Sequence, residues 1–177
     1  ANRLTPTTAR RLAGYIESAE QAGADAVMVT CSSVGAAVEA ARPFVNIPVM
    51  RVDQPMADRA VTLGRRIGVI ATLATTLQPT TDLVRARAAA DGRAVEVVPH
   101  LCEGAFQAVI AGETETHDQI VAAGLKELMA QVDVIVLAQA SMARVVDALP
   151  EEEKRVPILS SPRLGVEGAR KMIEELG

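Results

Sequence analysis

Residues 25–35, Asp-Ala-Val-Met-Val-Thr-Cys-Ser-Ser-Val-Gly, recur in kind at 133–143, Asp-Val-Ile-Val-Leu-Ala-Gln-Ala-Ser-Met-Ala. Asp25 aligns with Asp133, Cys31 with Gln139, Ser33 with Ser141, Val38 with Val146 and Glu39 with Asp147, at a constant offset of 108. Further on, Asn46-Ile47-Pro48-Val49-Met50 matches Arg155-Val156-Pro157-Ile158-Leu159 with one residue inserted. A constant offset held over that much pattern marks a duplicated supersecondary unit. Any fold open to this chain must therefore contain a strand–turn–helix–strand unit twice. Two similar lobes follow, each presenting one turn, with Cys31 and Gln139 facing each other across a cleft.

The unbroken apolar run Ala26 to Val29 predicts a strand buried on both faces, as in a parallel sheet. It leads into a polar turn that carries a thiol, and then into the helix-forming stretch Ala36 to Ala41. The thiol sits at the C-terminal end of a strand, where open α/β folds bind ligands. Backbone N–H groups and the helix dipole favour an anion there. Ser32 or Ser33 is a natural N-cap. A free cysteine is as often a small buried hydrophobe, so position alone does not assign Cys31 a role.

With 177 residues, 49% of them hydrophobic, the chain can fill one core or two small ones. A net charge of −4 without a basic cluster argues against nucleic acid as a partner. Aromatic residues make up only 2% and tryptophan is absent, which removes base-stacking platforms as well. Cys31 and Cys102 are too few for a disulfide framework, so both read as free thiols in a reducing cytoplasm. No apolar run approaches the roughly 18 residues of a membrane span, and no signal peptide is visible. No membrane partner is expected.

In chain order, Thr5-Pro6 starts a helix with Leu12, Tyr15, Ile16 and Ala19 as its apolar stripe, closed by Gly23. After the Cys31 unit, Ile47 to Val52 is the next strand, and Asp53-Gln54-Pro55 opens a helix through Leu63, with Asp53 as its cap. Ile67 to Thr72 is a strand, Thr72 to Thr76 a polar turn, and a helix then runs to Asp91-Gly92. Val95 to Val98 is a strand, and Pro99 to Glu113 reads as a loop with a short helix at Phe106 to Ile110. A helix from His117 to Gln131 carries Val121, Leu125, Leu128 and Val132 on one stripe; a last helix carries Val166, Ala169, Ile173 and Leu176. Alternating strands and helices define an α/β fold of parallel sheets flanked by helices. The expected division is a first lobe of residues 1–64 with the C-terminal helix 163–177, and a second lobe of 65–162. The strand Ile67 to Thr72 has no partner in the first half, so a further strand and connection of roughly 20–40 residues is expected ahead of Ala1.

Val29-Thr30-Cys31-Ser32-Ser33, Val52-Asp53-Gln54-Pro55-Met56-Ala57, Ile67-Gly68-Val69-Ile70-Ala71-Thr72 with Thr75-Thr76, and Val136-Leu137-Ala138-Gln139-Ala140-Ser141-Met142-Ala143 occur in an order that resembles one family. It is the aspartate/glutamate/hydantoin racemase superfamily, which includes glutamate racemase, maleate isomerase and arylmalonate decarboxylase. The resemblance implies two pseudo-symmetric lobes with the site in the cleft between them. It implies opposed cysteines as acid and base at the carbon next to a carboxylate, with no metal and no cofactor. Turn amides and hydroxyls would hold the carboxylate and the enolate-like intermediate. Cys31 is then the acid/base of the first lobe, and Thr30, Ser32, Ser33, Thr72, Thr75, Thr76 and Ser141 are candidate substrate-binding residues. Where a second thiol is expected stands Gln139, whose amide exchanges no proton near neutral pH. Gln139 thus enters the catalytic set as a binder of a substrate amide or carboxylate. Family members with one thiol carry out asymmetric chemistry such as decarboxylation followed by protonation from one face.

Other constellations carry less. His100, Cys102 and Glu103 fit no standard metal spacing, and His117-Asp118 reads as a solvated helix start. No glycine pattern signals a nucleotide. Covalent nucleophilic catalysis would need a base beside Cys31, and neither histidine is placed for it. The expectation is a cofactor-independent racemase or isomerase acting by thiol acid/base chemistry on a small carboxylate, amino acid or hydantoin-like carbonyl compound. The alternatives are a one-thiol decarboxylase and a small-ligand-binding protein without catalysis. A homo-oligomer is compatible with the sequence.

Overall fold

The computed structural model describes residues 4–177. Among the described residues six strands form two sheets. β1 (Val27–Val29) and β2 (Val49–Arg51) pair with each other, while β3 (Arg66–Ala71), β4 (Glu96–Leu101), β5 (Val134–Leu137) and β6 (Ile158–Leu159) form a sheet in the order β4-β3-β5-β6. Every pairing is parallel. The helices are α1 (Pro6–Gln21), α2 (Gly35–Ala41), α3 (Gln54–Leu63), α4 (Ala74–Ala90), α5 (Ala105–Ile110), α6 (Thr114–Met129), α7 (Ala143–Ala148) and α8 (Ser161–Glu174).

The sequence duplication is a structural one. The order α1-β1-α2-β2-α3 recurs as α6-β5-α7-β6-α8, and α1 and α6 begin and end at the same offset of 108. Short 3₁₀ turns fall at matching places, 32–34 and 140–142. The strand pairs match in detail: Val27 N–H donates to Pro48 O and Ile135 N–H to Pro157 O, both at 2.9 Å. Among the described residues, β3, α4, β4 and α5 have no counterpart in the first half.

Strand periodicity divides the main core into two layers. Ile67, Val69, Val134 and Val136 face α3 and α4, meeting Met56, Ala60, Val61, Leu83 and Val84. Ile70, Ile135 and Leu137 face the other way, onto Val121, Leu125, Leu128, Met142 and Val145. The helix stripe read at Val121, Leu125, Leu128 and Val132 is buried throughout. In the smaller sheet, Val49 packs with Ile16, Val38 and Ala41 of α1 and α2. Helix α3 leaves β2 and covers the larger sheet, whereas α8 leaves β6 and lies against Val52 and Pro55. Glycines permit that approach: a Cβ on Gly165 would fall 2.6 Å from Val52, and one on Gly168 2.5 Å from Pro55. Asp133 ties the sheet's strands at their start, its carboxylate accepting the N–H groups of Arg65 and Arg66 at 2.8 Å each. Those bonds, from Arg66 first and then Arg65, hold its carboxyl below the ordinary range.

Several expectations need correcting. β1 is half-buried rather than buried on both faces, because it lies in a two-stranded sheet with one unpaired edge among the described residues. β4 runs on through Pro99 to Leu101, which an edge strand tolerates. Thr75 and Thr76 lie in the first turn of α4, not in a loop before it. Tyr15 is exposed, and so are Val166 and Ile173 of α8, whose buried side is Ser161 and Gly165; Leu176, also exposed, lies beyond the end of that helix. Neither Ser32 nor Ser33 caps α2, where Val34 holds the cap position without a side-chain bond. His117 is buried, its Nδ1 2.7 Å from the Asp118 carboxylate that Arg144 of α7 also grips, so it belongs to a link between α6 and α7. Burial pushes the Asp118 carboxyl up, but its bonds to His117 and Arg144 together hold it below its ordinary value.

Leu125 is fully buried on α6 and Val166 is exposed on α8. Leu125→Ala is expected to cost about 2–5 kcal/mol in urea denaturation, and Val166→Ala to stay within about 0.5 kcal/mol of the parent.

Candidate active site

The duplicated turns are two copies of one backbone device. After β1, Thr30 and Cys31 lead into the 3₁₀ turn, with Val34 N–H donating to Cys31 O at 3.3 Å. After β5, Ala138 and Gln139 do the same, with Met142 N–H donating to Gln139 O at 3.2 Å. Cys31 has φ −114° and ψ 110°, and Gln139 φ −136° and ψ 129°. Both residues are extended and stand at equivalent places, at the C-terminal ends of their strands.

Their side chains differ in what they touch. Cys31 is exposed and unpaired. Gln139 is half-buried and turned onto the end of β3: its Oε1 accepts the Thr72 N–H at 2.7 Å and lies 3.1 Å from the Thr72 hydroxyl, while its Nε2 donates to that hydroxyl at 2.9 Å. β3 and β5 are adjacent, and Ala138 N–H donates to Ile70 O, which brings the two residues into register. Thr72 and Gln139 thus form one mutual unit. The Thr76 hydroxyl is likewise engaged, donating to Leu73 O at 2.9 Å. Thr30 and Ser141 are exposed.

Ser33 and Thr75 line one cavity. Helix α4 packs against the 3₁₀ turn after Cys31, and between them lies a cavity of about 790 Å³, a size suited to a small organic ligand. Ser33 and Val34 line it from the first turn, Ala74, Thr75, Gln78 and Pro79 from α4. Pro79 sits inside α4 and has no N–H to give, so the Thr75 carbonyl keeps no helical donor.

The floor holds residues not singled out from sequence. Arg51, at the end of β2, is 5% exposed and lines the cavity together with Arg42 and Gln54. Its Nε and Nη2 donate to the two oxygens of Asp53 at 2.9 and 2.8 Å. Asp53, 1% exposed, occupies the cap position of α3 but its carboxylate makes no capping bond. The expected cap is therefore corrected: the carboxylate neutralises the buried guanidinium. A signal was present in the charged Arg51 within Val49-Met50-Arg51-Val52, with an acid two residues on, the spacing of one strand face. Arg42 bonds Val49 O, Glu39 and Gln54, fixing the neighbouring wall.

Cys102 lies apart, at the end of β4. It is buried against α6, and burial pushes its thiol up to about 11. Among the described residues no three His, Cys, Asp or Glu side chains gather as a metal set, and no helix is long and apolar enough to cross a membrane.

Neither Cys31 nor Gln139 lines the cavity beside α4, which the first turn reaches through Ser33 and Val34. A two-lobed α/β protein of parallel sheets flanked by helices is the class these features define. Residues 3–169 match the Asp/Glu/Hydantoin racemase family, and the chain belongs to it. Solved structures agree. Glutamate racemase isoform RacE1 from Bacillus anthracis is 22% identical with a TM-score of 0.69, the alignment covering 96% of this chain and 67% of that one. Allantoin racemase from Klebsiella pneumoniae is 19% identical with a TM-score of 0.67, covering 95% and 67%. Arylmalonate decarboxylase is 17% identical with a TM-score of 0.54, covering 93% and 75%. These likenesses establish the fold. No curated protein sequence matches this one significantly.

The two thiols are expected to separate cleanly on exposure. In the folded protein iodoacetamide should modify Cys31 and spare Cys102, and both should react in denaturant, as peptide mapping would read. Equal labelling of both in the native state would contradict the burial described.

Proposed function

We propose that this chain is a cofactor-independent enzyme of the racemase family in which Cys31 is the acid/base and exchanges or delivers a proton on one face of its substrate. Its substrate is a small carboxylate, amino acid or hydantoin-like carbonyl compound. The observation that carries the reading is the difference between equivalent positions: one turn presents an exposed thiol, the other an amide already bonded to Thr72. A thiol can take or give a proton at a carbon next to a carbonyl, whereas an amide cannot near neutral pH. Proton transfer therefore runs through Cys31 on one face of the substrate.

The charge that develops on the carbonyl oxygens needs fixed donors. Ser32, Ser33 and Thr75 supply hydroxyls beside the Cys31 turn, with Thr30, Thr72, Thr76 and Ser141 further around the strand ends. Gln139 acts through Thr72, holding the β3 end in place. One-faced delivery equally suits a decarboxylase that protonates the carbanion left by carbon dioxide, and the single turn thiol supports that second reading. Two unpaired thiols fit a cytoplasmic setting.

Incubation in deuterated water with amino acids, hydantoins and substituted malonates, followed by NMR, tests the reading. The wild type is expected to incorporate deuterium next to the carbonyl of at least one class. Cys31→Ala should lower that rate by about 10²-fold or more, and Cys102→Ala should leave it unchanged. Incorporation that survives in Cys31→Ala would sink the thiol mechanism.

A further inference from the structure

We propose that Arg51, set in place by Asp53, is a carboxylate anchor on the floor of the cavity between α2 and α4. The proposal rests on the small-anion reading above for its class of ligand, and it adds a binding residue that reading does not contain.

Guanidinium chemistry supplies the first step. Arg51 carries five N–H donors in a planar fork with two edges that each fit a carboxylate. Asp53 occupies the Nε/Nη2 edge. Among the described residues nothing accepts from Nη1, and Arg51 lines the cavity. The edge formed by Nη1 and the second Nη2 hydrogen is therefore the one left for a ligand. Two further hydroxyls, those of Ser33 and Thr75, line the same cavity without a protein partner among the described residues. Donors from β2, the Cys31 turn and α4 thus line one space, whose acidic residues Glu39 and Asp82 are already engaged by Arg42 and Gln78.

The second step is how the guanidinium is held. Gly35 opens α2, and a Cβ placed there would lie 2.3, 2.4 and 2.6 Å from the Arg51 Cζ, Nη1 and Nη2. The three near-equal distances mean that the flat face of the guanidinium lies against the Gly35 backbone. Conformation does not require glycine at this position, since φ is −52° and ψ −43°. The duplicated unit has Ala143 there, with φ −57° and ψ −38°. Gly35 is glycine because the guanidinium fills the space of a side chain. The second lobe has no such charge, and the anchor belongs to the thiol-bearing lobe alone.

Position is the third step. Arg51 pairs with Val29 across the sheet, two residues ahead of Cys31. Strands lie about 4.8 Å apart and rise about 3.3 Å per residue, so the anchor stands one small molecule away from the Cys31 turn. A buried charge pair is costly to keep where apolar residues would pack as well. Its retention beside a donor-lined cavity is what a ligand-binding role explains.

The test uses succinate and malonate as probes, with succinamide and malonamide as neutral isosteres, in calorimetric titrations. Removing one charge alone would leave the other buried, so the variant is the double Arg51→Gln/Asp53→Asn, with its fold checked by circular dichroism. A surface control is Arg163→Gln. The expected result is that a diacid binds the wild type and the control at least tenfold more tightly than its diamide, with that preference lost in the folded double variant. Equal binding of diacid and diamide, undiminished diacid binding in the double variant, or no diacid binding to the wild type would each overturn the proposal. Cys31→Ala separates the two readings. Diacid binding retained there and in the wild type, with no deuterium incorporation by the wild type, would uphold the anchor while the acid/base reading fails.

Discussion

β5 is the member on which the rest of this structure hangs. It is bonded on one edge to β3 and on the other to β6, and all four of its residues are buried. Its side chains alternate between the layer under α3 and α4 and the layer under α6 and α7. Burial on both faces leaves no room for polar side chains within the strand, so chemistry is confined to its ends. At one end Asp133 gathers the first N–H groups of β3; at the other Gln139 gathers the last. The same chain segment that fixes the sheet thereby fixes both ends of β3.

Duplication then lets the two lobes specialise. The turns after β1 and β5 keep one backbone geometry while their side chains diverge. Where the second lobe has Gln139 bonded to Thr72, the first has an exposed thiol; where the second has Ala143, the first has Gly35 with a guanidinium stacked on it. One turn is tied to the neighbouring strand, and the other leaves its side chain free. Such a division is available only because a strand-end turn is held by its own main-chain bonds and does not depend on the residue at its first position.

Much of this was legible in the sequence. Elements with strong periodicity, such as α6 and β5, were located because a single physical requirement, burial of one stripe or of both faces, dictated their residues, although α6 starts at Thr114 rather than His117 and ends at Met129. The offset of 108 located the paired turns, since main-chain geometry is inherited with the pattern. What was not legible depended on contacts between distant segments. His117 looked solvated because Asp118 follows it, yet Arg144 from another helix seals it. Asp53 looked like a cap because it precedes Gln54-Pro55, but the buried Arg51 claims its carboxylate. In α8 the apolar residues Val166 and Ile173 misled, because the packed side uses glycines whose contribution is the absence of a side chain. The amide of Gln139 could not be assigned from sequence, as Thr72 lies 67 residues away.

In the proposed mechanism proton transfer is one-faced, since only one of the two equivalent turns bears a thiol. The most direct measurement is chirally resolved deuterium incorporation by the wild type and by Gln139→Cys, which places a thiol on the equivalent backbone. The wild type is expected to label or protonate with a single configuration, and Gln139→Cys to begin interconverting the two. Interconversion by the wild type itself, or an unchanged one-faced outcome in a folded Gln139→Cys protein, would contradict that mechanism.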